Sequence, residues 1–187
     1  SVTLGNSDDV EVGDWAIAIG NPFGLNETVT VGIISAKGRN RVELGGGDTY
    51  QNFLQTDAPI NPGNSGGPLC NIKGEIIGIN TAIVAPGGGN VGIGFSIPVN
   101  MVKGIVDQLK IKGKVTRGWL GVFIQELTED IAKPLNLKPN SGILVADVQK
   151  DGPADKAGLK QGDVILQFDG KVMRGVEDLR NNVAATA

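Results

Sequence analysis

Apolar and polar positions change places in short runs along the first hundred residues. Residues 15–19, 28–36, 53–56, 76–81 and 92–97 are β-branched or apolar stretches divided by Gly, Pro and Asn clusters, the pattern of strands joined by tight turns. Five such runs predict an antiparallel barrel or sandwich. After Pro98 the period changes: Met101, Val102, Ile105, Val106 and Leu109 recur at helical spacing, predicting one helix that closes the unit. The basic stretch 110–114, which carries Gly113, reads as a linker. Beyond it the periods mix. Strands are expected over 120–124, 142–148 and 164–168, the last ending in the turn Asp169-Gly170. A helix should open at Thr128, with Glu129 and Asp130 favourably placed in its first turn. A helical turn at 154–157 should stop at Gly158, and 176–185 should be helical. The chain therefore divides into a mainly β unit and an α+β unit.

Composition narrows the function classes. The 187 residues are enough for two modest cores, and 40% apolar with 20% charged residues is a globular balance. Seventeen basic and twenty acidic side chains leave a net charge of -3, so no electrostatic footprint for phosphate backbones exists and nucleic acid is not an expected partner. Glycine is abundant, at 29 residues, and clusters at 45–47 and 87–89, which suits many tight connections. Cys70 is the only cysteine; with Leu69 and Ile72 nearby it reads as a small buried hydrophobe, and no internal disulfide can form. The longest apolar runs are too short to cross a bilayer. Residue 1 opens no signal peptide, so any export signal is expected upstream.

The most specific chemistry lies in Thr56-Asp-Ala-Pro-Ile-Asn-Pro-Gly-Asn-Ser65-Gly-Gly-Pro-Leu69, a serine in a glycine-bracketed loop between strands. Glycines at 63, 66 and 67 let the backbone approach a substrate carbonyl, and the N–H groups of Gly63 and Ser65 could hold a developing oxyanion. A serine needs a base and an orienting acid to become a nucleophile, yet the chain contains no histidine. In the chymotrypsin order the histidine and aspartate precede the serine. A segment that starts after the first barrel, or a dead enzyme, would both look like this. Three other motif matches carry less. Gly63-Asn-Ser-Gly-Gly67 fits the G-x-S-x-G elbow, but that elbow must lead into a helix and be followed by an acid and a histidine. The G-x-G-x-x-G match at 87–92 opens no helix and reads as an inter-strand loop, and Asn26-Glu27-Thr28 is a glycosylation sequon in form only.

With Gln55 to Leu69, the stretch Gly78-Ile-Asn-Thr-Ala-Ile-Val and its continuation to Pro98, the chain resembles the bacterial HtrA (DegP/DegQ-like) serine proteases. The likeness extends through Gly20-Asn-Pro-Phe-Gly24, Val31-Gly-Ile-Ile-Ser35, Arg117-Gly-Trp-Leu-Gly-Val122 and Asp151-Gly-Pro-Ala-Asp-Lys-Ala-Gly-Leu-Lys-Gln-Gly-Asp-Val-Ile165. It implies residues 1–112 as the second barrel of a chymotrypsin-like protease and 113–187 as an α+β PDZ domain cut short at its end.

By this resemblance Ser65 is the acyl-forming nucleophile, and Gly63, Asn64 and Ser65 form the oxyanion loop. Ile60 and Ile83 line the specificity pocket, which with no acid nearby should take small or medium apolar side chains. Ile79, Asn80 and Thr81 should pair with substrate as an added strand. Asn64 stands where zymogen-activated relatives carry an aspartate, so switching should depend on loop ordering, with 39–50 as sensor loop and Arg39 as relay; a plain surface charge explains Arg39 as simply. In the PDZ part, Trp119, Leu120, Gly121 and Val122 should receive a peptide carboxyl terminus, and Leu179 and Val183, with Val176, wall its pocket or pack the core. The implied whole is an ATP-independent endopeptidase of unfolded polypeptides in the periplasm or cell envelope. It uses no cofactor or metal and is built from trimers. The fragment alone is expected to be inactive, and a catalytically silent peptide-binding or chaperone module is the alternative.

Overall fold

The computed structural model describes residues 2–24, 27–40, 42, 51–83, 90–173 and 175–186. They form two compact units, Ser1–Val115 and Thr116–Ala187.

The first unit contains strands β1 (Trp15–Gly20), β2 (Thr28–Arg39), β3 (Phe53–Thr56), β4 (Pro68–Cys70), β5 (Ile76–Ile83) and β6 (Gly94–Pro98). They close into an antiparallel barrel in the order β1-β2-β3-β6-β5-β4. The alternation in β1 decides which residues enter it: Ala16 and Ala18 are fully buried, whereas Trp15 faces outward. These alanines pack with Ile34, Leu54, Ala58, Ile60, Leu69 and Ile77 in the barrel core. A side chain at Gly32 would collide with Asp57 and Ala58, because a Cβ there would lie 2.3 Å from the Ala58 nitrogen. That close approach lets the segment after β3 lie flat on β2.

Helix α1 (Val99–Lys112) follows directly on β6. Gly113 ends it in the left-handed region at φ 68°, its N–H donating to the Leu109 carbonyl at 3.0 Å. The stretch read as a linker from residue 110 is thus helical through Lys112. Lys110 and Lys112 in the last turn oppose the negative end of the helix dipole, which explains why the basic run does not break it.

The second unit contains β7 (Val122–Glu126), α2 (Glu129–Ala132), β8 (Ile143–Val148), α3 (Pro153–Lys156), β9 (Val164–Ile165), β10 (Gln167–Phe168), β11 (Lys171–Val172) and α4 (Val176–Ala184). The sheet order is β7-β8-β9, with β10 and β11 as a separate hairpin. The single strand expected over 164–168 is divided at Leu166, whose carbonyl accepts from the Met173 N–H. Asp169 and Gly170 both have positive φ, 49° and 74°, the geometry that lets a two-residue turn close a hairpin. Strand β7 starts later than residue 120 because Gly121, at φ 75°, turns the chain first. The carbonyls of Leu120 and Gly121 accept from Ala154 and Gln149. Ile143, Met173, Val176, Leu179 and Val183 form this unit's core.

Candidate active site

The serine loop joins β3 to β4, and its entry is stitched onto β2. The Thr56 hydroxyl donates to the Ile33 carbonyl at 2.8 Å, the Ile33 N–H donates to the Asp57 carboxylate at 2.7 Å, and the Thr30 hydroxyl donates to the Pro59 carbonyl at 2.8 Å. The Asn64 N–H then closes a turn on the Asn61 carbonyl at 2.9 Å, and the Asn21 N–H reaches the Gly63 carbonyl at 3.3 Å. Gly63 sits at φ 105° with the Asn21 carbonyl so close that a Cβ would lie 2.3 Å from it. Both the dihedral and the space demand glycine there.

Ser65 is exposed at the loop tip, its hydroxyl donating to the Thr81 carbonyl at 3.2 Å. Among the described residues, neither the Gly63 N–H nor the Ser65 N–H has an acceptor. Two unengaged main-chain donors thus flank an exposed hydroxyl, and a donor pair of this kind can stabilise negative charge on a carbonyl oxygen. Between them Asn64 is 1% exposed; its amide lies 3.5 Å from the Pro59 carbonyl and its Oδ1 has no partner. The chain that follows Ser65 is strand β4, not a helix, so the elbow geometry of α/β-hydrolases is absent.

The other candidates are distributed unevenly. Ile60 is buried in the barrel core against Gly94, where a Cβ would lie 2.8 Å from its Cδ1. It faces the interior, not an open pocket. Ile83 ends β5 opposite Gly94, and its side chain lies outside the described residues. The expectation of an added strand along Ile79, Asn80 and Thr81 needs correction. At Ile79 both edges are occupied, by Pro68 of β4 and Ile97 of β6. Asn80 pairs with Ser96 on one side, and its N–H and carbonyl bond Gly67 and Gly66 on the other. Only Thr81, in the irregularity between Asn80 and Ala82, escapes this double pairing. The sequence could not show it, because edge status depends on which strands close the barrel.

Arg39 ends β2, its guanidinium Nε donating to the Gln55 side chain at 2.8 Å; most of the loop at 39–50, the glycine stretch 84–89 and Asn26 lie outside the described residues. Cys70 is buried, and burial pushes its thiol up from the ordinary value. A cleft of about 660 Å³ is lined by Leu4, Asp14, Trp15 and Glu75 among others, but by no residue of the serine loop.

In the second unit, β7 pairs only with β8, leaving its other edge open within the described sheet. Trp119 and Phe123 are exposed, and Val122 opens β7. The N–H groups of Leu120 and Gly121 have no acceptor among the described residues, while their carbonyls are held from behind by Ala154 and Gln149. Leu179 and Val183, read either as pocket wall or as core, are 1% and 8% exposed and belong to the core, with Leu120 and Ile124 packed on it. The Glu126 carboxylate, which sequence reasoning did not single out, accepts the first helical N–H of α4 at Val176, 3.2 Å away.

A six-stranded antiparallel barrel presenting a serine on a Gly-bracketed loop, joined to a three-stranded α+β module with one open edge, defines a trypsin-like peptidase barrel with a PDZ module. Family models agree: a trypsin-like peptidase domain matches residues 1–79 and a PDZ domain matches residues 118–187. The chain belongs to the HtrA family of serine proteases. It is 55% identical over 183 residues to the probable periplasmic serine endoprotease DegP-like of Chlamydia trachomatis, covering 98% of this chain and 36% of that protein. A protein of the same description from Rickettsia conorii is 55% identical over 184 residues, with 98% and 36% covered. Among solved structures, the HtrA-type protease AlgW with tripeptide superposes with a TM-score of 0.85 at 49% identity, covering all of this chain and 61% of that one. The serine endoprotease from Yersinia pestis has a TM-score of 0.61 at 38% identity, covering 98% and 56%. The chain thus spans about a third of the length of the curated relatives it matches.

Proposed function

We propose that this chain supplies the nucleophile and the oxyanion-binding loop of a serine endopeptidase that cuts unfolded polypeptides. The observation that carries the reading is the exposed Ser65 hydroxyl flanked by the unengaged N–H groups of Gly63 and Ser65. In the reaction Ser65 Oγ turns from the Thr81 carbonyl and gives its proton to an imidazole. The oxygen attacks the peptide carbonyl carbon, and the two N–H groups hold the resulting oxyanion. Collapse expels the amine, which takes a proton from the imidazolium, and leaves an acyl ester on Ser65 that water hydrolyses. The sequence holds no histidine, so the base comes from outside these 187 residues and the chain alone is inactive.

Thr81 meets the substrate backbone, and Arg39 relays loop ordering to the site. The second unit binds peptide carboxyl termini at the amides of Leu120, Gly121 and Val122, with the peptide added along the open edge of β7. The relatives' description as periplasmic endoproteases supports a periplasmic or cell-envelope location for the intact protein, to which we assign a trimer-based assembly. A serine-reactive phosphonate tests the chemistry. Protein expressed from the complete gene should be labelled at Ser65 and cut casein, both lost in Ser65→Ala, and the 187-residue chain should stay unlabelled. Labelling that persists in Ser65→Ala would refute the assignment. The absence of histidine also favours a second reading, a peptide-binding module without catalysis; labelling of the complete protein decides between them.

A further inference from the structure

We propose that Asn80 is the positioning residue that fixes Ser65, braced by Ser96; this rests on the protease reading above. Asn80 is 1% exposed and Ser96 is fully buried, so every polar atom of the pair must find a partner inside the barrel. They do so by gripping the segment that follows the nucleophile. The Asn80 carbonyl accepts from the Gly66 N–H at 2.8 Å, and the Asn80 N–H donates to the Gly67 carbonyl at 2.9 Å. Its side-chain amide donates to the Pro68 carbonyl at 3.1 Å. Three consecutive residues after Ser65 are therefore bonded to one residue of β5, and the next residue, Thr81, accepts the Ser65 hydroxyl.

Ser96 on the neighbouring β6 completes the clamp. Its hydroxyl donates to Asn80 Oδ1 at 2.8 Å. The orientation of the carboxamide follows from its partners: the Pro68 carbonyl can only accept, so Nδ2 faces it and Oδ1 faces the hydroxyl. Asn64, the buried carboxamide of the loop itself, does not share this task. Its oxygen is unpartnered and its amide contact is long, at 3.5 Å. The loop is thus held on its far side by Asn80 while the amides of Gly63 and Ser65 stay unengaged. The role suits a polar residue in an apolar barrel, where a satisfied network enforces one geometry.

The test compares Asn80→Ala, Ser96→Ala and the double variant, in protein expressed from the complete gene, with thermal melting to show that each folds. Displacing a nucleophile by about 1 Å costs on the order of 10²-fold in rate, so Asn80→Ala should lower kcat and the phosphonate labelling rate at least tenfold, with KM changed less than about twofold. Ser96→Ala should lower kcat by a smaller factor, about threefold or more. That loss should vanish when added to Asn80→Ala, because Ser96 acts through Asn80. Should Asn80→Ala fail to fold, the kcat and exchange readouts of Ser96→Ala decide. Amide hydrogen exchange at Gly66, which needs no catalysis, is the second readout, expected to quicken at least tenfold in either variant while β2 amides stay unchanged. Faster exchange in a protein whose Ser65 is never labelled would sustain the clamp and remove the protease reading. Wild-type kcat in a folded Asn80→Ala, or exchange at Gly66 no faster than in the parent, would overturn the inference.

Discussion

Adding one methyl group at Gly67 tests the geometry around Ser65 most directly. A Cβ there would lie 2.2 Å from the Ile19 carbonyl oxygen and 3.0 Å from the Asn64 carbonyl oxygen. Both neighbours are backbone, so no side chain can swing aside. Ordinary contact lies near 3.5 Å, and Gly67→Ala must therefore push β1 and the serine loop apart by at least about 1 Å. Overpacking of this kind costs about 1–3 kcal/mol, and a rigid backbone neighbour puts the cost near the upper end, about 3 kcal/mol. The hydrogen bond between the Asn80 N–H and the Gly67 carbonyl lies in the path of the shift, and weakening it adds about 1 kcal/mol. At roughly 4 °C per kcal/mol the first unit's Tm should fall by about 10 °C or more. Thermal denaturation followed by far-UV circular dichroism and by fluorescence reads this, with Trp15 in the first unit and Trp119 in the second as separate reporters. Only the first transition should move. Gly66→Ala is the control: its φ of 86° costs about 1–2 kcal/mol, but nothing stands within 4 Å of the added methyl. A Gly67→Ala chain as stable as the parent, or no less stable than Gly66→Ala, would refute the close approach of β1 to the nucleophile loop.

Gly104→Ala should raise the stability of the first unit by about 0.5–1 kcal/mol in the same denaturation curves, because Gly104 lies mid-helix in α1 with open space around its Cα. Cys70 should resist thiol reagents at pH 7–8 until the barrel unfolds: burial excludes the reagent, and a raised pKa keeps the sulfur protonated. Its reaction in native protein should quicken as pH climbs toward that raised value, read by absorbance of the released thiolate dye. Gly121→Ala should cost about 1–2 kcal/mol in the second unit, since φ is 75° and the methyl would lie 3.1 Å from the Trp119 ring; it should also weaken binding of a carboxyl-terminal peptide, measured by fluorescence polarisation.

Local periodicity carried much of this protein. Short β-branched and apolar runs bounded by Gly, Pro and Asn clusters located β1, β2, β3, β5 and β6 to within a few residues, and helical spacing located α1 and α4, because each signal lies within a few positions along the chain. The turn at Asp169-Gly170 and the glycines bracketing Ser65 were legible for the same reason: a positive φ is a property of one residue. Where propensity met a competing local force, the reading slipped, as at 110–114, where lysines suited the helix end better than a linker. What the chain hid were relations between distant residues. That Ile79 and Asn80 have no free edge, that Ile60, Leu179 and Val183 face cores, and that Asn80 and Ser96, sixteen positions apart, grip the loop behind Ser65 follow only from barrel closure and module packing. A residue's type announces what it can bond. Which partners surround it is decided by strand order and by the glycines whose missing side chains let two backbones meet.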